Sequence, residues 1–239
     1  MRILVFQHVA AEHPGSFRDV MAREGHVMHA VELDEGEAIP PLDGFDMLLV
    51  MGGPMDVWET EKHPWLIAEM AAIKEWVQAG RPYLGLCFGH QLLAQALGGH
   101  VGLMAGAPEV GISHVPLVAD PIFAGVPELC TCFQWHGAEV QRLPEGAVLL
   151  ASSAACAIQA FRLGDAAYGL QFHMELTHTT AAEWGALPEY AAALERVRGP
   201  GSLPVIQAEG AANYAALNQA AERIFGNFLR IAEGVLAGV

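Results

Sequence analysis

Cys87 stands in the stretch Pro82-Tyr83-Leu84-Gly85-Leu86-Cys87-Phe88-Gly89-His90-Gln91, with a glycine two residues before it and another two residues after. The apolar run ahead of it reads as a buried strand. The pattern behind it, closing on Leu97-Gly98-Gly99, reads as a helix with a glycine stop. This is the G-x-C-x-G form of a nucleophile elbow, in which the glycines permit a tight strand-to-helix turn that projects one reactive side chain. A helix beginning at Phe88 also aims N–H groups and the positive end of its dipole at the sulfur, which favours the thiolate. Cys87 is the candidate nucleophile.

A thiol nucleophile needs a base, and the base needs a group to orient it. Gly169-Leu170-Gln171-Phe172-His173-Met174-Glu175 offers both. On an extended segment residues i and i+2 face the same way, so His173 and Glu175 can lie side by side. The carboxylate then accepts from one imidazole nitrogen and leaves the other for Cys87. Gly52-Gly53-Pro54 closes another apolar run, and a glycine pair at a strand end can present a backbone N–H. Gly53 and Phe88 would supply the two N–H donors of an oxyanion hole, where losing one donor costs about 2.7–4 kcal/mol of transition-state stabilisation.

These groups must be positioned by a common frame. Arg2–Val9 reads as strand, Ser16–Glu24 as helix, His26–Leu33 as strand, Asp46–Met51 as a buried strand and Pro64–Ala79 as an amphipathic helix closed by Gly80. Such β/α alternation predicts an α/β fold with a doubly wound, mostly parallel sheet, whose ligand crevice lies beyond the carboxyl ends of the strands. From Glu109 onward short β segments are expected over 110–118, 131–135, 147–152, 157–162 and 167–172. After Thr177 the chain turns helical, with interruptions at Pro188 and over 199–204 and a last helix from about Ala208 to Leu236. Residues 1–239 read as a single domain in which 180–239 form a helical C-terminal part.

Composition narrows the classes. Acidic residues outnumber basic ones 27 to 12 for a formal charge of −15, and the only lysines are Lys62 and Lys74. Nucleic acid needs a positive footprint, so that partner is set aside. No apolar stretch approaches the roughly 18 residues of a membrane span, and the N-terminus lacks the pattern of a signal peptide, so a cytoplasmic protein without a membrane partner is expected. The other cysteines, Cys130, Cys132 and Cys156, read as structural thiols.

Taken together, Gly52-Gly53-Pro54, Gly85 to Gln91, Leu97-Gly98-Gly99 and Gly169-Leu170-Gln171-Phe172-His173-x-Glu175 resemble the class I, triad-type glutamine amidotransferases. Within them the chain is most similar to stand-alone relatives of the GMP synthase glutaminase domain. His136-Gly137-Ala138-Glu139-Val140, Leu143 to Ala147 and Ala151-Ser152-Ser153 match that subfamily as well, and the resemblance covers roughly residues 1–180. It implies a flavodoxin-like sheet with extra short antiparallel strands and no cofactor. It also implies that Cys87 attacks the side-chain amide of glutamine to form a γ-glutamyl thioester, with His173 and Glu175 completing the triad. Gln91 matches a position lining the glutamine pocket, together with Gly52, and Trp135 and His136 match the segment holding the α-amino and α-carboxylate groups.

The chain departs from the family at two places. Met174 stands where His-Pro-Glu is usual, and Trp135 stands where close relatives carry serine. The aromatic substitution opens a second substrate class, γ-glutamyl peptides or conjugates, and a catalytically idle binding subunit is the reading from a different class. No phosphate-loop or pyrophosphatase-loop motif occurs, so an ammonia-accepting synthetase would be a separate chain. His8, His13, His90, His114 and His178 show no ligand spacing and read as satisfied structural groups, so no metal is expected. Trp65, Trp76 and Trp184 fit helix faces, as core or as contacts with another chain, and association into a homo-oligomer is left open.

Overall fold

The computed structural model describes residues 1–238. The chain alternates β1 (Arg2–Gln7), α1 (Phe17–Arg23), β2 (Val27–Glu32), β3 (Met47–Val50), α2 (Trp65–Gln78), β4 (Tyr83–Leu86) and α3 (Phe88–Ala96). Short strands follow: β5 (His100–Leu103), β6 (Glu109–Pro116), β7 (Leu129–His136), β8 (Ala138–Arg142), β9 (Val148–Ala151), β10 (Ala160–Leu163) and β11 (Ala167–Leu170). Three helices finish it, α4 (Thr180–Gly185), α5 (Pro188–Arg198) and α6 (Leu203–Ala237).

The main sheet runs β2-β1-β3-β4-β11-β10-β9. β2, β1, β3, β4 and β11 are parallel neighbours, and β10 is antiparallel to both β11 and β9. This is the doubly wound, mostly parallel architecture the βα alternation predicts. Its inner strands are near-continuous apolar runs because helices cover both faces. Period-two alternation divides their side chains. Ile3, Val5, Met47, Leu49, Leu84 and Leu86 meet α1 and α6, where Phe17 stacks on Phe225 with ring centroids 4.3 Å apart. Leu4, Phe6, Leu48, Val50 and Tyr83 meet Ile73 and Trp76 of α2 and Leu92 of α3 on the other face.

Several expectations need correction. β5 and β8 form a small antiparallel sheet that the sequence reading lacks, although the buried-then-exposed alternation of Ala138–Arg142 carries a strand signal. β6 and β7 pair with each other outside the main sheet. The helical part breaks where expected, between α4 and Pro188 and again over 199–202, but each proline opens the next helix: Pro188 sits in the first turn of α5 and Pro204 in that of α6, which begins at Leu203 rather than about Ala208. In a first turn the fixed proline φ suits the helix and the missing N–H has no partner to lose.

The strand order carries the functional consequence. β1, β3, β4 and β11 are consecutive in the sheet, and His8, Gly52-Gly53, Cys87 and His173 follow their carboxyl ends. Residues scattered over the chain are thereby delivered to one edge of the sheet.

Candidate active site

Cys87 is the N-cap of α3 and, among the described residues, the one non-glycine residue with positive φ, at 51° with ψ −100°. Its N–H donates to Leu170 O at 2.8 Å, and the Gly89 N–H donates to Met51 O at 3.1 Å, which ties the elbow to the ends of β11 and β3. The flanking glycines answer to close backbone approach. A Cβ at Gly85 would run into the Gly89 carbonyl, and one at Gly89 into the Val50 carbonyl.

His173 is fully buried beside this turn. Its backbone pairs with Phe133 of β7 through N–H···O bonds of 2.8 and 2.9 Å in the two directions. The Nδ1 lies 2.7 Å from Glu175 Oε1, and Glu175 Oε2 accepts from the Met174 N–H at 2.9 Å. The Nε2 is buried without a hydrogen-bond partner among the described residues, and the Cys87 sulfur is near enough to act on the ring electrostatically. Burial pushes the imidazole down, but the Glu175 carboxylate and the sulfur outweigh it and hold His173 well above its ordinary value. An imidazole so placed can keep a proton between a carboxylate and a sulfur. Trp184 of α4 packs edge-on against the ring at 4.5 Å, and Met174 points into the hydrophobic core.

A cavity of about 290 Å³ opens over the sulfur. Gly53, Cys87, Gln91, Trp135 and His136 line it, with Glu189, Tyr190, Ala193 and Arg196 of α5 on one side. Gly52, Phe88, His173 and Glu175 are buried and do not line it. The Gly53 N–H donates to no group of the chain among the described residues, and the Phe88 N–H is the first orphan donor of α3. Gln91 commits its amide nitrogen to Ala138 O at 3.1 Å and Gln171 Oε1 at 3.2 Å. The His136 Nδ1 donates to Ala138 O at 2.9 Å, its Nε2 lies 3.2 Å from Glu109 Oε2, and the Trp135 ring N–H donates to Tyr190 O at 3.2 Å.

Three neighbours of the site escape the sequence reading. Gln171 donates to the Cys87 sulfur at 3.6 Å; its spacing of two from His173 on one extended segment was the available signal. Glu12, from the loop after β1, accepts from the Tyr190 hydroxyl. Its second carboxylate oxygen is buried without a partner, and ligand atoms of Glu12, His173 and Glu175 all lie within 4.8 Å of one another. Glu175 accepts from His173 and the Met174 N–H, and one Glu12 oxygen accepts from Tyr190, which leaves the second Glu12 oxygen as the one carboxylate oxygen of the cluster without an internal partner among the described residues. The third neighbour is His8, taken up below.

Burial raises Glu12 above the usual carboxylate range, with the His173 charge and the Tyr190 bond pulling the other way. A carboxyl group with a raised folded pKa contributes stability that is present at low pH and lost as pH rises through that value. Glu12→Gln keeps an acceptor for Tyr190 and cannot ionise. Its melting temperature relative to the parent is therefore expected to climb as pH rises above the ordinary carboxylate value of about 4.5; an offset that does not change with pH would contradict the assignment.

The remaining cysteines are buried free thiols. Burial pushes Cys130 up to about 11, Cys156 up to about 12 and Cys132 well above its usual value, which leaves them inert beside Cys87. Burial likewise takes His90 down to about 3, a neutral core histidine.

Comparison with known proteins agrees with this geometry. A glutamine amidotransferase-like protein of Salmonella typhimurium, YfeJ, is 34% identical over 187 residues, covering 74% of this chain and 77% of that one. A glutamine-hydrolysing GMP synthase of Caldicellulosiruptor saccharolyticus is 40% identical over 134 residues, 55% of this chain but only 25% of the synthase. The crystal structure of a glutamine amidotransferase from Thermotoga maritima superposes with a TM-score of 0.86 at 28% identity, covering 98% of each chain. No helix among the described residues is long and apolar enough to cross a membrane. The family model for glutamine amidotransferase class-I matches residues 18–184, which hold both the elbow and the His173–Glu175 pair, and the chain belongs to that family of glutaminase-type enzymes.

Proposed function

We propose that the protein hydrolyses the side-chain amide of glutamine through a thioester on Cys87. The observation that carries this reading is the buried His173 imidazole, tied to Glu175 at 2.7 Å through Nδ1 and left with an unpartnered Nε2, in the same site as Cys87 on its strand-to-helix turn. The sulfur attacks the amide carbon, and the oxygen that becomes negative is met by the Gly53 and Phe88 N–H groups. The carbon–nitrogen bond breaks, and ammonia leaves with the proton held on His173. Water then gives a proton to the imidazole, attacks the thioester carbon and releases glutamate, with the sulfur freed as thiolate. Gln91, Trp135 and His136 shape the pocket, and Gly52 acts on it through the adjoining Gly53. At about 290 Å³ the cavity sits at the lower edge of the range of small-ligand pockets, about 300–1,000 Å³, which suits an amino-acid-sized substrate.

The test is glutamate release from glutamine by purified protein, with Cys87→Ala as the blank. A rate above the blank supports the reading, and a rate equal to it refutes it. The α5 wall favours a second reading, since Glu189 and Arg196 at the rim could contact a group attached beyond the γ-glutamyl unit. The same assay with γ-glutamyl conjugates decides between the two by which substrate has the higher kcat/KM.

Three quarters of the matched GMP synthase has no counterpart here. By likeness to that synthase, a synthetase that accepts the ammonia, as a separate chain, is part of the proposal. Four free cysteines suit a reducing compartment, and the cytoplasm is the proposed location.

A further inference from the structure

His8 sits beneath the glycine loop at the carboxyl end of β1, fully buried, and the steps above leave it unused. Its Nδ1 lies 2.8 Å from the Gly52 carbonyl oxygen, and its Nε2 lies 2.8 Å from Oε1 of Glu69, a fully buried side chain of α2. The Gly52 carbonyl can only accept, so Nδ1 carries a proton, and with Glu69 ionised Nε2 donates to it and His8 is an imidazolium. Trp65 stacks on one face with centroids 5.6 Å apart, and Phe88 meets the ring edge-on at 5.0 Å. A Cβ added to Gly53 would come within 3.0 Å of the His8 Cβ. Burial lowers the imidazole pKa, but the Glu69 charge, the bonds to Glu69 and Gly52 and the Glu12 charge together raise it.

The geometry points to His8 and Glu69 as a positioning dyad that fixes the Gly53 N–H by gripping the carbonyl of the same peptide unit. In a planar trans peptide the Gly52 C=O and the Gly53 N–H point in opposite directions, so holding the oxygen sets where the N–H aims. Glycine on both sides makes this peptide unusually free to flip, and nothing else among the described residues bonds the Gly53 N–H. A charged donor on the carbonyl also polarises the amide, which strengthens the N–H as a donor. Glu69 keeps His8 charged and in place.

This inference rests on reading the Gly53 N–H as an oxyanion donor, and two isosteric substitutions test it. In His8→Asn the amide nitrogen falls near the Nδ1 position and can still hold the Gly52 carbonyl. In His8→Gln it falls near Nε2, reaches Glu69 and leaves that carbonyl free. His8→Gln is expected to lose about 10–100-fold in kcat with KM little changed, somewhat less than outright loss of an oxyanion donor, about 10²–10³-fold. His8→Asn is expected to recover most of that loss. Equal losses in both variants, or a parental kcat in His8→Gln, overturn the inference. Hydrogen exchange over residues 51–55 is read in parallel, because it reports the grip on the loop whether or not glutamine is the substrate. Exchange is expected to speed up in His8→Gln and to stay near the parent in His8→Asn. If the parent itself releases no glutamate, that failure belongs to the glutaminase reading, and the exchange contrast alone decides for or against the dyad.

Discussion

Glu175→Gln is expected to fold and to lose about 10²–10⁴-fold in glutamate release. The carboxylate serves two donors at once, the His173 Nδ1 at 2.7 Å and the Met174 N–H at 2.9 Å. A carboxamide has one oxygen and one NH2 group, so it can satisfy only one of them. If its oxygen stays with Met174, the NH2 group faces Nδ1 and drives the ring proton to Nε2. That tautomer points its proton at the sulfur and cannot take one from it. If its oxygen stays with His173, the Met174 N–H is opposed by a donor and left unpaired, at about 1–3 kcal/mol.

The charge is lost in either case. Burial already pushes His173 down, and the Glu175 carboxylate is the main influence lifting it. Without that carboxylate the buried imidazole gives up its proton at lower pH. Turnover and the His173 ring signals followed by NMR across pH check this together: the rate is expected to fall and the His173 titration midpoint to move down. Undiminished turnover would mean that another carboxylate orients the ring, and Glu12 is the buried one within reach.

The frame of this site was readable where each element carries its own signal. Ile3–Phe6 and Met47–Val50 are apolar on every residue because helices cover both faces of the sheet, and that continuity alone announces buried parallel strands. Cys87 was legible because its neighbouring glycines are required by backbone contacts only two residues away. His173 and Glu175 were legible for a similar reason, since extended chain brings i and i+2 together whatever surrounds them. The groups that escaped act across long separations. Tyr190 reaches Glu12 over 178 residues, and His8 reaches Glu69 over 61. A lone histidine in a strand looks the same in sequence whether it holds a carbonyl or fills a gap, and only the packing of α2 against the β1 end separates the two. Helix α5 is a related case, because an alanine-rich amphipathic pattern does not state which cavity its face closes.

The second large effect concerns stability at the elbow, where two substitutions of a small side chain are expected to act in opposite directions. Gly89→Ala places a methyl group against the Val50 carbonyl and 3.0 Å from the Val50 Cβ, in the central strand β3. Neither obstacle is the free end of a flexible side chain, so the helix must shift away from the sheet. The expected cost is about 3 kcal/mol, the upper part of the usual overpacking range, or about 6–12 °C in Tm for a chain of this size.

At position 87 itself the sign reverses. Glycine normally costs about 0.5–1 kcal/mol relative to alanine through the entropy of the unfolded chain. The φ of 51° with ψ −100° imposes about 1–3 kcal/mol on a residue that has a Cβ and almost nothing on glycine. Cys87→Gly is therefore expected to melt at or above Cys87→Ala, by up to about 2 kcal/mol, while both lose the proposed nucleophile. A Cys87→Ala variant that melts clearly higher than Cys87→Gly would show that the elbow relaxes once the sulfur is gone. The strain would then belong to the thiol and its contacts with His173 and Gln171. If glycine melts higher, the strain belongs to the turn that projects the sulfur, and the sheet and α3 hold that turn whether or not a nucleophile occupies it.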